Sequence, residues 1–144
     1  MTSRNAALLV FHGALLLLIG NLVGIPFAEA IEEDWGAEAV RAWRVAHSSL
    51  VMGGALYIAI GAAREFIALP AQPESLLVRL LVATAYLFPA ALVLGASLGA
   101  RGLSPAGPAL HGVVFVCFVV SVLAILIASG LLLWGTYRAL RSTA

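Results

Sequence analysis

The sequence predicts an all-α integral membrane protein, a four-helix bundle with both termini in the cytoplasm, and three observations predict it. Of 144 residues, 62% are hydrophobic and 10% charged, whereas a soluble domain is nearer a quarter charged. The mean hydropathy is +1.06. Charge-free stretches run Ala6–Ala28, Val45–Ala63, Leu80–Ala100 and Gly102–Tyr137, each close to or above the ~20 residues that cross a bilayer core. They predict helices over about 6–30, 43–64, 76–100 and 108–138 in a single transmembrane domain spanning 1–144.

The first helix begins after Arg4. Ala28-Glu29-Ala30 at its far end resembles the cleavage site of a secretory signal. The apolar run exceeds the ~7–15 residues of a signal core, so it is read as a transmembrane helix. Gly13, Gly20 and Gly24 share one face, and Gly20 with Gly24 makes a GxxxG pair, a pattern common wherever membrane helices touch. Asn21 is the strongly polar residue of that helix, placed either to bond a neighbouring helix or to reach into a pocket.

The second helix opens at His47, behind Arg41-Ala42-Trp43-Arg44-Val45-Ala46. An imidazole at the mouth of a membrane helix is a functional-site candidate, and neutral imidazole is the commonest metal ligand. Heptad steps from His47 reach Gly54 and Gly61. This is either a flat face on which a porphyrin can lie or ordinary small-residue packing. Tyr57 flanks the same stripe.

Pro70 and Pro73 mark the turn into the third helix, and Pro89 within it frees a carbonyl. Tyr86, one turn before Pro89, is placed to offer a hydroxyl to a cavity. Gly102, Pro105, Gly107 and Pro108 mark the turn into the fourth helix. That helix, about 29 residues and roughly 44 Å long, is expected to tilt or protrude.

Sidedness rests on arginine alone, because the chain has no lysine. Arg4, Arg64, Arg79, Arg138 and Arg141 fall on one side, and Arg41, Arg44 and Arg101 on the other. The positive-inside bias puts the first group in the cytoplasm. The expected location is therefore the cytoplasmic (inner) membrane, multi-pass, with the lipid bilayer as the main partner.

Several classes are excluded. No CxxC, HExxH, P-loop or GxGxxG pattern is present, and no basic cluster of the kind that binds nucleic acid. Cys117 is alone and reads as a buried, inert thiol. Every carboxylate falls in a loop or near a helix end, which disfavours Ser-His-Asp chemistry. His111 shares the outer side with His47 and is either a second haem ligand or an interfacial residue; His12 lies on the opposite side. Trp35, Trp43 and Trp134 read as interfacial belt residues, and Trp43, one turn before His47, is also placed to wall its site.

Trp43-Arg44-Val45-Ala46-His47-Ser48, followed by Gly54, resembles the start of the second helix of styrene oxide isomerases. His12-Gly13, Arg79-Leu80-Leu81 and Arg101-Gly102-Leu103 are similar too, as are the length and the four-helix layout. The resemblance implies a homotrimer with haem b between neighbouring subunits and His47 as the axial ligand. It implies an epoxide substrate, ring opening with ferric haem as Lewis acid, and a 1,2-hydride shift to the aldehyde. Two departures stand out. The family's substrate-orienting Asn, six residues after the ligand, is Gly53 here, and its pocket Tyr falls on Leu92.

Three functions follow as expectations. The first is a haem b isomerase of epoxides or similar small apolar molecules, with His47, Trp43, Gly54 and Gly61 around the cofactor and Asn21, Tyr57 or Tyr86 as pocket polar groups. The second is a non-catalytic membrane haem protein (cytochrome, sensor or carrier), and the third a structural or accessory membrane protein without cofactor. A homo-oligomer is expected under each, because the glycine-rich faces exceed what one thin bundle buries.

Overall fold

Thr2 sets the start of the first helix, its hydroxyl accepting the Asn5 N–H at 3.3 Å, as an N-cap residue does. In the computed structural model, which describes residues 1–100, 102 and 104–142, the helices are α1 (Ser3–Glu32), α2 (Ala37–Ala62), α3 (Ala71–Leu98) and α4 (Ala109–Ser142). A 3-10 turn, Arg64–Phe66, follows α2. Among the described residues there is no strand, and all four helices are long and apolar enough to cross a membrane.

Each helix outruns, at one end at least, the apolar stretch that announced it. The largest difference is at α2, which begins at Ala37 after Gly36 (φ 88°), rather than near residue 43. Charged residues on an exposed turn do not stop a helix, and Glu38 in the first turn complements the helix dipole. Residues 71–75 are likewise helical, because proline suits a first turn whose N–H groups have no partner inside the helix. At its far end α3 stops at Gly99, left-handed at φ 64°, with the Ala100 N–H returning to the Gly95 carbonyl at 2.9 Å.

Helices α1 and α2 pack through their glycines. A Cβ on Gly13 would stand 2.7 Å from the Gly54 carbonyl, and one on Gly61 would stand 2.8 Å from the Ala6 carbonyl. Backbones this close leave no room for a side chain, which is the small-residue mode of membrane packing. At the end that holds the termini, the buried Glu74 carboxylate accepts the Thr2 N–H at 2.7 Å and Asn5 Nδ2–H at 2.6 Å. The start of α1 is thereby tied to the start of α3.

The core divides along the bundle axis. Leu9, Leu16, Tyr57, Leu77, Leu81 and Ala128 fill the terminal end. Val23, Ala30, Trp43, Ala46, Leu50 and Leu92 fill the other. Trp43, expected in the interfacial belt, is buried instead. Helix α4 lies mainly on α3 and buries only a narrow stripe, Val114, Ser121, Ala124, Ala128 and Gly135. At about 51 Å it exceeds the ~30 Å hydrocarbon core. In its last turns the Arg138 and Arg141 guanidinium groups sit 5.6 Å from the Trp134 and Tyr137 ring centroids, an interfacial arrangement.

Candidate functional site

Because α2 starts early, His47 is not at the helix mouth but ten residues inside it, about 15 Å along the axis. The imidazole is half-buried and turned toward α1. Its Nδ1 lies 2.8 Å from the Gly20 carbonyl oxygen. A carbonyl only accepts, so Nδ1 carries the hydrogen, and in the neutral ring Nε2 carries the lone pair. Gly24 makes space for this pose, since a Cβ there would stand 3.2 Å from Nδ1. Phe27 stacks on the ring at 6.0 Å between centroids and 23° between planes. Tautomer and ring plane are thus both set by α1, and the basic nitrogen is left without a protein partner among the described residues.

The other sequence candidates are dispersed. Gly54 and Gly61 do not offer a flat floor for a ring, because the backbone of α1 covers both within the chain. Trp43 lies one turn before His47, in the core cluster that also takes in Phe27. The Tyr57 hydroxyl donates to the Leu81 carbonyl at 2.6 Å, tying α2 to α3. Tyr86 is not aimed at a cavity beside Pro89. It is exposed, and its hydroxyl lies 2.9 Å from His12 Nδ1. Asn21 is exposed on α1 and makes no hydrogen bond among the described residues. The His111 ring packs beside Gly107, and no hydrogen bond or ring contact among the described residues links it to His47. Arg101 and Leu103, part of the sequence resemblance, lie outside the described residues.

Two hollows flank α2. A wide groove of about 900 Å³ opens between α2 and α3 at the end of the bundle away from the termini, with Trp43, Leu92 and Phe118 inside and Glu38 and Arg41 at the rim. Those two rim residues pair at 4.0 Å. A smaller cavity of about 190 Å³ lies between α2, α3 and α4, walled by Leu50, Gly53, Tyr57, Phe88 and Ser121 among others. Leu92 and Gly53, the positions of the two departures, therefore line different hollows. Sequence reasoning missed Ser49, which lines the smaller cavity with Gly53. The available signal was spacing, since residues four apart share a helix face.

The arrangement can offer one oriented neutral nitrogen to a metal. Among the described residues no three His, Cys, Asp or Glu side chains come together, so an ion needing several protein ligands has no set here. An iron already held by a porphyrin needs only one or two. The styrene oxide isomerase family model matches residues 5–137, nearly the whole chain. None of the curated proteins or solved structures compared with the chain matches it.

Proposed function

The chain belongs to the styrene oxide isomerase family, and on that premise we propose that it is a haem b-binding membrane isomerase converting epoxides or similar small apolar substrates to carbonyl compounds. One observation carries the reading: the His47 Nδ1–H donates to the Gly20 carbonyl at 2.8 Å. Ligating histidines commonly donate their second ring N–H in this way, which fixes the tautomer and raises the basicity of the ligating nitrogen. A histidine kept only for packing has no need of an oriented Nε2 without a partner.

When bound, ferric haem supplies a Lewis acid that polarises the substrate oxygen. This chain's residues do the rest. Phe27 and Gly24 hold the imidazole plane, and α1 fixes its depth in the bundle. The apolar walls of the smaller cavity exclude water, which protects a cationic rearrangement from hydrolysis. Neither Asn21 nor Tyr86 replaces the missing polar groups within one chain, since one is exposed on α1 and the other is bonded to His12. A homo-oligomer, with trimer the family's state, supplies the remaining wall of the site. A multi-pass place in the cytoplasmic membrane completes the reading.

The test is an absorption spectrum of purified protein in detergent, oxidised and reduced, beside His47→Ala. The expected result is a Soret band, high-spin in the ferric form, that disappears in the variant. A preparation that stays colourless after added hemin, or a band indifferent to His47→Ala, overturns the reading.

A further inference from the structure

Four hydroxyl-bearing residues, Ser49, Tyr57, Thr84 and Ser121, line the smaller cavity, and they are not equivalent. Tyr57 donates to the Leu81 carbonyl at 2.6 Å, Thr84 to the Leu80 carbonyl at 2.9 Å and Ser121 to the Cys117 carbonyl at 2.7 Å. A hydroxyl has one hydrogen, so these three have none left to donate to a ligand. Ser49 differs. Its neighbour Ser48 returns its hydrogen to the Arg44 carbonyl at 2.8 Å, the usual helical back-bond, but Ser49 makes no hydrogen bond among the described residues. The cavity thus has one uncommitted donor.

The space before that donor is open. Gly53 is one turn along the same wall, and a Cβ built there meets nothing within 4 Å. The volume of about 190 Å³ is slightly above that of an engineered cavity of ~150 Å³ that holds benzene. Leu56 and Val122 on the rim are 52% and 48% exposed, so the cavity opens sideways to the acyl chains. Water is scarce at that depth, and an unmet hydroxyl gains more from an acceptor there than at a wet surface.

We propose that this cavity binds a small uncharged molecule of about one aromatic ring carrying a single oxygen acceptor, and that the Ser49 hydroxyl holds that oxygen. Ser49 takes over, from one turn away, the orienting task that Gly53 has no side chain to perform. The assignment rests on the isomerase reading for the identity of the ligand class. Binding itself is measured without reference to iron.

The experiment titrates acetophenone and ethylbenzene, the same ring with and without the oxygen, into the full chain in nanodiscs by calorimetry, with empty nanodiscs subtracted. Wild type is expected to prefer the ketone. Ser49→Ala lowers ketone affinity by about three- to tenfold, the worth of one net hydrogen bond, and leaves the hydrocarbon unchanged. Ser49→Thr restores the preference, and Gly53→Leu abolishes binding of both by filling the cavity. A ketone-to-hydrocarbon ratio unmoved by Ser49→Ala overturns the role of Ser49, and undiminished binding in Gly53→Leu overturns the site. A Soret band missing from wild type with the Ser49 dependence intact would sink the haem reading alone.

Discussion

Gly53 and Gly54 are adjacent in sequence, yet alanine at the two positions is expected to act in opposite directions. A Cβ at Gly54 would lie 2.7 Å from the Gly13 carbonyl oxygen and 2.8 Å from the Leu17 backbone nitrogen, both main-chain atoms that cannot rotate aside. Ordinary contact begins near 3.4 Å, so the two helices must part by about 0.7 Å. Overpacking of this kind costs about 1–3 kcal/mol. At ~2–4 °C per kcal/mol for a chain of this size, Gly54→Ala is expected to melt roughly 3–10 °C below wild type.

The Gly53 control meets nothing within 4 Å. Replacing a helical glycine with alanine there removes backbone freedom worth roughly 0.5–1 kcal/mol, so Gly53→Ala should melt at or slightly above the wild-type temperature. Separation at Gly54 also travels two turns to His47. The 2.8 Å reach to the Gly20 carbonyl would stretch toward about 3.5 Å, beyond a normal hydrogen bond. The assay is helix content against temperature in one detergent. Equal losses in the two variants, or an unchanged Gly54→Ala, would refute the claim that α1 and α2 touch through backbone.

Tyr57→Phe removes the buried donor to the Leu81 carbonyl and is expected to cost about 0.5–1.5 kcal/mol in the same melting assay. Tyr86→Phe, which loses an exposed bond to His12, should cost less, and the reverse order would count against the assigned burial. Asn21 is exposed on a membrane helix without a partner among the described residues. In an oligomer that buries it, Asn21→Leu should weaken self-association about fivefold, near 1 kcal/mol, by energy transfer between labelled copies in bilayers. Unchanged association would leave Asn21 facing lipid.

The four spans were readable because hydropathy over twenty residues is a strong signal. Their ends were not, because the criterion was absence of charge, and helical hydrogen bonding does not require that. Ala37–Arg44 is charged and helical, and so is the end of α1 as far as Glu32. Proline misled in the other direction. Pro73 was read as a turn, yet it occupies a helix start, where it removes no hydrogen bond. The glycine stripe on α2 admitted two readings, and sequence could not choose between them. What decides is which helix lies opposite, and Gly13 reaching Gly54 is a fact of tertiary packing.

The site was legible to the extent that it consists of side chains. His47 stood out as an imidazole in apolar surroundings. Its hydrogen-bond partner is the Gly20 carbonyl, a main-chain group that every residue has and no pattern marks. Ser49 was visible by spacing but had no distinction until its neighbours' hydroxyls were seen to be occupied. One piece of geometry, however, was available from the start. At 100° per residue, Ser49 and Gly53 lie about 200° and 240° around α2 from His47. The structure accordingly has His47 turned to α1 and Ser49 on the cavity shared with α3 and α4. Opposite sides of one helix cannot meet at one centre within a chain. A reaction that needs both the His47 nitrogen and an oxygen held by Ser49 must therefore take them from two copies, with the α1–α2 face of one set against the α2–α4 opening of the next.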